Sequence, residues 1–291
     1  MTQAFILAAG FGTRLLPLTR FVPKPLFPVC NIPAITRIVD QLVNAGFERV
    51  FINIHHLAHK IEAFLETINT DIEIILLKEK TILGTGGGIA QAIPQLDPND
   101  HLLIYNGDIV CDIDLNVFRN LALKNPDYTA HMLVHARLPF NNVRVAQGEV
   151  TAFGYGGGDA KAYCGISILH PSCFGYFHDE FPYSLIEVFQ KSLGDGKKIK
   201  AIEAERIDSD YIWADIGTLA GYLDANAILL KKYGNRMQVT EVQKGCWSVV
   251  GDNVKIGRYV RLNQSVVWDG CFVEEGACLE RAVVTPYGTM K

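Results

Sequence analysis

A run of small residues follows the first apolar segment of the chain and is the first feature that suggests chemistry. Leu7-Ala8-Ala9-Gly10-Phe11-Gly12-Thr13-Arg14-Leu15 comes directly after a stretch typical of a β-strand. Small residues here let the backbone approach a phosphate chain closely, with its N–H groups as donors. Arg14 and Lys24 lie just beyond and would neutralise phosphate charge. Because neither G-x-G-x-x-G nor the Walker pattern is present, a tight turn without a ligand fits these residues about as well.

Two aspartates also follow segments typical of strands. Asp108 ends the segment Tyr105-Asn106-Gly107-Asp108, and Asp215 lies in Tyr211-Ile212-Trp213-Ala214-Asp215-Ile216-Gly217-Thr218. A single aspartate after a strand is more often a turn residue or a helix cap than part of a site. Asp108 as a turn residue, and Asp215 as the cap of a helix after Gly217, are therefore the alternatives to a functional role.

A longer string reduces these ambiguities. Leu7-Ala-Ala-Gly-Phe-Gly-Thr-Arg-Leu-Leu-Pro-Leu-Thr19, followed by Pro23-Lys24-Pro25-Leu26, closely resembles the signature of the sugar-1-phosphate nucleotidyltransferases, also called NDP-sugar pyrophosphorylases. The resemblance covers residues 1 to about 230. It implies an enzyme that converts an NTP and a sugar 1-phosphate to an NDP-sugar and pyrophosphate, with Arg14 and Lys24 as catalytic cations.

The same resemblance implies a role for each of several further residues. Leu83-Gly84-Thr85-Gly86-Gly87-Gly88-Ile89 resembles the family's nucleobase loop, and Tyr163-Cys164-Gly165-Ile166-Ser167-Ile168-Leu169 resembles the strand whose glycine lies under the sugar. Asp108 and Asp215 resemble the two aspartates that hold Mg²⁺. The predicted nucleotide-binding residues are Leu7, Ala8, Ala9, Gly10, Gly12, Thr13, Arg14, Lys24, Thr85, Gly86 and Asp108; the predicted sugar-binding residues are Asn106 and Gly165.

One departure from the family pattern concerns the sugar. Many members carry Glu-Lys-Pro before the sugar-site glycine, whereas this chain has Phe153-Gly-Tyr-Gly-Gly-Gly-Asp-Ala-Lys-Ala162. The resemblance implies that this Glu holds a sugar hydroxyl and this Lys the sugar phosphate. Lys161 is a candidate for the missing cation, but its spacing differs, and a solvated loop lysine is the preferred interpretation. The remaining motifs most resemble the branch with N-acetylmuramate-1-phosphate uridylyltransferase and heptose- or mannose-1-phosphate guanylyltransferases, so UTP or GTP is the favoured nucleotide and the sugar stays open.

Short apolar runs alternate with amphipathic, helix-length stretches over the part of the chain that must position these residues. Strands are predicted at Ala4–Ala8, Val50–Ile54, Ile72–Leu77 and Leu102–Tyr105, and helices at Ile35–Ala45, His59–Ile68, Leu115–Leu123, Ser184–Leu193 and Leu219–Lys231, with a further helix starting at Gly88. Strands that are apolar throughout predict a sheet covered on both faces. The expected fold is α/β, a Rossmann-like three-layer structure with a mainly parallel sheet, over residues 1–235.

The last fifty residues have a different period. Apolar residues recur every six positions at Val250, Ile256, Leu262 and Trp268, and the frame then slips by one to Val273 and Leu279. This pattern predicts a short left-handed β-helix of hexapeptide repeats over residues 245–285, with a pair of β-hairpins as the alternative. About two coils cannot bury much of their own core. The tail is therefore expected to dock on the catalytic domain or on another subunit through Trp268, Phe272 and Val273, to mediate homo-oligomerisation, and to be dispensable for the chemistry.

Composition excludes several classes of protein. The chain has 291 residues, 49% hydrophobic and 20% charged, with a net charge of −4, which does not fit a disordered, collagen-like or coiled-coil protein. The acidic balance argues against nucleic-acid and anionic-membrane partners. Seven scattered cysteines without a C-x-x-C pair indicate a reducing compartment. With neither an apolar run long enough to span a bilayer nor a targeting segment, a cytoplasmic protein is expected.

Two other functions fit the sequence less well. A non-catalytic relative that binds NDP-sugar as a regulatory or assembly subunit would be expected to lack Arg14, Lys24 or one of the aspartates, and all four residues are present. A dinucleotide-binding oxidoreductase is disfavoured because the glycine-rich loop lacks the third glycine and no acidic residue closes the second strand.

Overall fold

The computed structural model describes residues 1–137, 140–154, 160–234 and 247–291 of the chain. The predicted domain limits at residues 235 and 245, and most of the segment that replaces Glu-Lys-Pro, lie outside the described residues. Within them, no helix combines the length and apolar character that crossing a bilayer requires.

The first half of the chain alternates strands with helices. The strands are β1 (Gln3–Leu7), β2 (Pro28–Val29), β3 (Ile32–Pro33), β4 (Arg49–Ile54), β5 (Glu73–Lys78), β6 (Leu102–Asn106) and β7 (Ile109–Cys111). The helices are α1 (Ala34–Asn44), α2 (Ala58–Leu65), α3 (Gly84–Ala90) and α4 (Leu115–Leu123), with short 3-10 turns at Thr13–Leu15, Leu18–Arg20, Lys24–Leu26 and Ile93–Gln95. The predicted helix at Leu115–Leu123 is confirmed, whereas α3 begins at Gly84, four residues before the predicted start.

Six further strands follow in the described residues between 130 and 215. They are β8 (Ala130–His135), β9 (Asn141–Ala146), β10 (Glu149–Phe153), β11 (Ala160–Leu169), β12 (Ile199–Glu203) and β13 (Trp213–Asp215). The helices are α5 (Leu185–Gly194) and α6 (Leu219–Tyr233), with 3-10 turns at Pro171–Tyr176 and Ala204–Arg206. Lys161 lies in β11, where its Nζ is 3.6 Å from Glu203 Oε1, so the interpretation as a loop lysine is wrong.

Side-chain caps fix where the later helices start. The Asp114 carboxylate accepts hydrogen bonds from the first backbone N–H groups of α4, and Ser184 forms a capping box with Glu187 at α5. Thr218 caps α6 by accepting from Gly221 N at 3.1 Å. These caps satisfy N–H groups that have no partner inside the helix. Because Thr218 caps α6, Asp215 is not its cap.

In the part of the chain that the structure describes, nine strands form the main sheet, in the order β5-β4-β1-β6-β11-β8-β12-β10-β9. The pairs β5–β4, β4–β1, β1–β6 and β8–β12 are parallel, and the other four neighbouring pairs are antiparallel. The expectation of a mainly parallel sheet therefore holds only for the N-terminal half, and the sheet as a whole is mixed. Short connections join β9 to β10, which allows an antiparallel hairpin, whereas the parallel pairs need crossover helices.

Both faces of the sheet are covered, as the all-apolar strands predicted. Alternate residues of β1 point to opposite sides: Ala4 and Ile6 pack in a core with α1, α2 and α4, while Phe5 packs in a second core with α3 and α5. The result is three layers, with the carboxyl ends of β1 and β6 at the same edge, because these strands are parallel neighbours.

Eight strands make up the tail: β14 (Ser248–Val250), β15 (Lys255–Ile256), β16 (Arg261–Asn263), β17 (Ser265–Val267), β18 (Phe272–Val273), β19 (Cys278–Glu280), β20 (Val283–Thr285) and β21 (Gly288–Met290). Strands 17 residues apart pair in parallel: Ile256 opposite Val273, Leu262 opposite Leu279, and Val266 opposite Val283. The pairing is not that of β-hairpins. An offset of 17 rather than 18 is what the one-residue slip in the hexapeptide frame predicts. Only β21 is antiparallel, to β20.

The tail docks on the rest of the same chain. Trp268, 7% exposed, and Val273, 3% exposed, belong to a core shared with Leu15, Phe27 and Tyr222. Trp268 Nε1 donates to the Tyr222 hydroxyl at 2.9 Å. Two of the three predicted contact residues thus face the catalytic domain, whereas Phe272 is 65% exposed.

Candidate active site

The predicted phosphate loop begins at the end of β1, and a buried hydrogen-bond chain fixes its backbone. Ala8 N donates to Asn53 Oδ1 at 2.8 Å, and Asn53 Nδ2 donates to Glu79 Oε1 at 2.7 Å. Glu79 Oε2 in turn accepts from Leu83 N at 3.0 Å. The chain joins the start of the glycine-rich loop to the start of α3. A buried amide and a buried carboxylate are retained at this position because each is fully engaged by a partner.

Asn53 and Glu79 were not predicted as site residues. A signal for Asn53 was available, because it is a polar residue inside the apolar run Val50–Ile54. Glu79 gave no comparable signal, since a glutamate after a strand is ordinarily a surface residue. In the structure, however, Glu79 is only 6% exposed.

The first turns of α3 contain the predicted nucleobase loop. A Cβ on Gly86 would collide with the Tyr183 ring, and a Cβ on Gly87 with the Phe181 ring. A Cβ on Gly88 would collide with the side chains of Asn53 and Glu79. These glycines let α3 pack closely against its neighbours. The Thr85 hydroxyl accepts from Leu185 N at 2.8 Å, which links α3 to the start of α5.

A cleft of about 250 Å³ lies between this loop, α3 and the end of β6; we call it the glycine-loop cleft. Its lining includes eight of the predicted site residues: Leu7, Ala8, Ala9, Gly10, Lys24, Thr85, Asn106 and Asp108. Asn53 and Glu79 also line it. Gly12, Thr13 and Gly86 are not part of its lining. Gly12 has a φ of 63° and packs on Thr19, whose hydroxyl donates to Gly12 O at 3.1 Å, so this glycine shapes the loop instead.

The two predicted metal aspartates are brought together by a two-stranded ribbon. Asp108 lies in the turn between β6 and β7, and Asp215 is the last residue of β13, which pairs antiparallel with β7. Asp215 is opposite Ile109, and Ile216 N donates to Asp108 O at 3.0 Å. Residues more than a hundred positions apart in the sequence therefore meet at one edge of the fold.

Each aspartate has a different partner. Lys24 Nζ is 2.5 Å from Asp108 Oδ2 in a largely buried ion pair. Asp215 Oδ1 accepts from Gly217 N at 2.6 Å. Burial raises the pKa of Asp215, the negative charge of Asp108 raises it further, and the Gly217 hydrogen bond and the charges of Lys24 and Arg14 oppose this rise. Two carboxylates that repel each other in this way are suited to share a cation.

The chemistry of these donors fits Mg²⁺. In proteins this ion is commonly held by one or two carboxylates together with substrate phosphates and water. Among the described residues, no group of three or more His, Cys, Asp or Glu side chains forms a closed metal cage. A two-carboxylate site that depends on its substrate for further oxygen ligands is therefore the arrangement that these residues allow.

A second cavity, of about 450 Å³, has Asp215 in its lining; we call it the arginine cavity. Arg14 and Arg137 line it together with the aromatic side chains of Phe140 and Trp213. Arg14 therefore does not line the glycine-loop cleft. Its guanidinium lies against Gly217, where a Cβ would come within 2.5 Å of Nη2.

The predicted sugar-site glycine lies beside Asn106. Gly165 has a φ of 79°, a conformation that favours glycine, and a Cβ there would be 3.0 Å from Asn106 Nδ2. The register of β11 against β8 shifts between Tyr163 and Ser167, which places an irregularity at Gly165. Asn106 lines the glycine-loop cleft, whereas Gly165 packs against Asn106 and is not part of the lining.

The chain is similar in sequence to known nucleotidyltransferases. The family model for nucleotidyl transferase matches residues 3–139. Mannose-1-phosphate guanylyltransferase of Mycobacterium tuberculosis is 29% identical over 96% of this chain and 83% of its own length. N-acetylmuramate alpha-1-phosphate uridylyltransferase of Neisseria meningitidis is 29% identical over 78% of this chain and 97% of its own length.

A solved structure agrees at the level of the fold. UDP-glucose pyrophosphorylase of Acinetobacter baumannii superposes with a TM-score of 0.68 over 81% of this chain and 95% of that chain, at 19% identity. The family match, the two relatives and the mixed α/β fold lead to one conclusion: residues 3–139 form a nucleotidyl transferase domain, and the chain is an enzyme whose relatives are sugar-1-phosphate nucleotidyltransferases.

Proposed function

We propose that this enzyme transfers a nucleotidyl group from an NTP to a sugar 1-phosphate, forming an NDP-sugar and releasing pyrophosphate. One observation carries the proposal: Lys24, Asp108 and Asp215 lie together between two cavities, with Asp108 lining one and Asp215 the other. This arrangement suits a reaction in which two anionic substrates meet at a shared centre of charge.

The enzyme needs no general base in this reaction. A phosphate monoester has a second pKa of about 6 and is ionised near pH 7, so the sugar phosphate is itself the nucleophile. What opposes the reaction is repulsion between two anions. Lys24 and Arg14 lower that repulsion, and Mg²⁺ held by Asp108 and Asp215 would neutralise further phosphate charge. Holding both substrates in register would lower the barrier by about 7–11 kcal/mol.

The nucleotide is received, in this proposal, by the glycine-loop cleft. Its backbone segment from Leu7 to Gly10 offers N–H donors to phosphates, and Thr85 with α3 forms the opposite wall. UTP or GTP is favoured because the relatives named above are a guanylyltransferase and a uridylyltransferase. The sugar 1-phosphate is received in the arginine cavity, at its wall of Arg137 and Trp213, while Arg14, beside Gly217, is assigned to the departing pyrophosphate.

Arg137 is a candidate for the cation that the missing Glu-Lys-Pro lysine supplies elsewhere in the family. It lines the arginine cavity with Arg14, Asp215 and Trp213. Burial, and then the charge of Arg137, lower the pKa of His135 to about 4, and the His135 ring packs on Trp213 at 4.4 Å between ring centroids. Arg137 therefore lies close to the aromatic wall of the cavity, where a sugar ring would lie.

Arg137→Ala is expected to raise the KM for the sugar 1-phosphate by about tenfold or more, because a charge-assisted contact to phosphate is lost. The KM for the NTP should change little. Steady-state kinetics with each substrate varied in turn measures both constants. Arg144→Ala is the matched control, because Arg144 is an exposed arginine on β9. Equal changes in both KM values would contradict the assignment.

Arg14→Lys is expected to lower turnover substantially and to weaken pyrophosphate binding in the reverse reaction. Lysine keeps the charge but loses the planar fork that grips two phosphate oxygens. Pyrophosphate-dependent cleavage of an NDP-sugar is the measurement. Arg20→Lys, on the same segment but outside both cavities, serves as the control. If Arg14→Ala binds pyrophosphate as tightly as wild type, Arg14 is only a surface residue and has no role in pyrophosphate binding.

The tail belongs to the proposal in two respects. We take its parallel ladders, with a 17-residue offset, to be the short left-handed β-helix that the hexapeptide pattern predicts.

We also retain the expectation that the tail forms a homo-oligomer, for which the exposed Phe272 is the remaining candidate contact. Light scattering on wild type and Phe272→Ser tests this, and an unchanged molar mass would remove Phe272 from any interface.

A panel of NTPs and sugar 1-phosphates, with pyrophosphate release as the readout and Mg²⁺ present or chelated, tests the proposed function directly. Release with one pair and loss of release on chelation are expected. A folded protein that binds NDP-sugar but releases no pyrophosphate with any pair would favour the regulatory alternative. That alternative has less support, because Arg14, Lys24, Asp108 and Asp215 are all present and gathered around the same two cavities.

A further inference from the structure

Two aromatic contacts from the tail lie on either side of Lys24. Phe21, three residues before Lys24, stacks on Tyr287 with ring centroids 4.6 Å apart and planes 3° from parallel. Phe27, three residues after Lys24, meets the edge of Trp268 with centroids 5.1 Å apart. The segment that carries the active-site lysine is thus held at both ends by residues of the C-terminal tail.

The contact before Lys24 is built on a short turn. Tyr287 lies between β20 and β21, and Thr285 braces this turn by accepting from Tyr287 N and donating to Gly288 O at 2.9 Å. Lys60 of α2 donates to Phe21 O at 2.5 Å and lies 5.8 Å from the Tyr287 ring centroid. Tyr287 therefore closes a three-part contact between the tail, α2 and the segment before Lys24.

The contact after Lys24 lies in the core. Phe27 is fully buried, and its ring also meets Tyr222 of α6. The Tyr222 hydroxyl accepts from Trp268 Nε1 and donates to Pro28 O at 2.5 Å. One hydroxyl thereby links the tail to the backbone immediately after Phe27.

The backbone between Lys24 and the two aromatic contacts at Phe21 and Phe27 is short and stiff. Lys24–Leu26 is a 3-10 turn, in which Leu26 N donates to Pro23 O and Phe27 N donates to Lys24 O, both at 2.9 Å. Pro23 and Pro25 have restricted φ angles, which stiffens the turn. A displacement of either contact is therefore passed to Lys24 rather than absorbed between them, and the Lys24–Asp108 ion pair would shift with it.

We infer that the tail is a positioning element of the active site, in which Tyr287 and Trp268 hold the segment that presents Lys24 to the substrate phosphates. The inference rests on the proposed function for the role of Lys24. It replaces the expectation from the sequence that the tail is dispensable for the chemistry. Tyr287 is the residue to test, because it is 46% exposed and its removal leaves the core intact.

Tyr287→Ala is expected to lower kcat about threefold to tenfold, which matches the modest strength of a single aromatic pair. The KM values should change less than kcat, since the residue touches neither substrate. Tyr287→Phe retains the stacked ring and should restore wild-type kcat. Tyr259→Ala removes a tyrosine that is 82% exposed elsewhere on the tail and should behave as wild type.

Hydrogen exchange gives a readout that does not depend on turnover. Phe21 N and Val22 N both donate to Leu18 O, and their amides should exchange faster in Tyr287→Ala than in wild type, Tyr287→Phe or Tyr259→Ala. Unchanged exchange, or unchanged kcat in an active enzyme, overturns the inference. A wild type that releases no pyrophosphate anywhere in the panel overturns the proposed function and the catalytic part of the inference, and exchange then decides separately whether the tail holds this segment.

Discussion

Asp108→Asn is expected to lower turnover by at least about a hundredfold while the protein remains folded. The substitution keeps the shape of the side chain and removes its charge. In the wild-type structure that charge is paired with Lys24 at 2.5 Å and raises the pKa of Asp215. Its loss therefore removes one proposed metal ligand, frees Lys24 from its partner and removes one cause of the raised pKa of Asp215.

Stability should change little, because two effects of the substitution oppose each other. Lys24, a largely buried cation, loses an ion-pair partner, whereas Asp215 loses a repulsive neighbour. Thermal melting and pyrophosphate release measured on the same preparation separate folding from chemistry. Asp114→Asn is the control: Asp114 caps α4, and asparagine is an equally good cap. Near-normal turnover in folded Asp108→Asn would remove Asp108 from the reaction.

Sequence pattern was sufficient for the elements whose periodicity is local. The predicted bounds of helix α4 are correct because its apolar spacing is a local pattern, and in the structure the Asp114 cap fixes its start. The all-apolar runs correctly predicted strands buried on both faces, such as β1 and β4. The glycine-rich loop and Lys24 were found as a continuous motif, and the structure gathers most of the motif at one cleft.

The sequence pattern does not predict which distant strands pair in the sheet. The antiparallel half of the sheet depends on which strands meet across the fold, and the apolar pattern of β11 is the same for either direction of its neighbours. The predicted start of helix α3, Gly88, is four residues too late because glycine has a poor helix propensity. Close packing of Gly86 and Gly87 on Tyr183 and Phe181 overrides that propensity.

For the active-site residues, too, local motifs are predicted from the sequence and long-range contacts are not. The motifs identified Asp108 and Asp215 separately, but only the β7–β13 ribbon explains why they meet. Asn53, Glu79 and Arg137 carry no local motif, since their roles depend on neighbours from other strands and helices. Docking of Trp268 on Tyr222 likewise depends on a contact 46 residues apart in sequence.

Asp215→Asn is expected to abolish most turnover and at the same time to stabilise the metal-free protein. Burial and the Asp108 charge both disfavour the ionised Asp215 carboxylate, which is why its pKa is raised. Asparagine carries no charge, and its side-chain oxygen still accepts from Gly217 N. A site that costs stability without its ligands is expected where catalysis needs two like charges close together.

The sign of the pH dependence follows from the raised pKa. Between the ordinary aspartate pKa of 3.8 and its higher value in the folded protein, the folded state binds more protons than the unfolded state, so this group's contribution to stability rises as the pH falls. Without metal, Asp215→Asn should therefore melt at a higher temperature than wild type near pH 7, by roughly 2–4 °C for each kcal/mol of relieved repulsion. This difference in melting temperature should narrow as the pH falls through the raised pKa toward 3.8. Adding Mg²⁺ should raise the melting temperature of wild type and leave the variant nearly unchanged. A variant that is less stable than wild type without metal, or that gains as much from Mg²⁺, would show that Asp215 is neither strained by Asp108 nor a metal ligand.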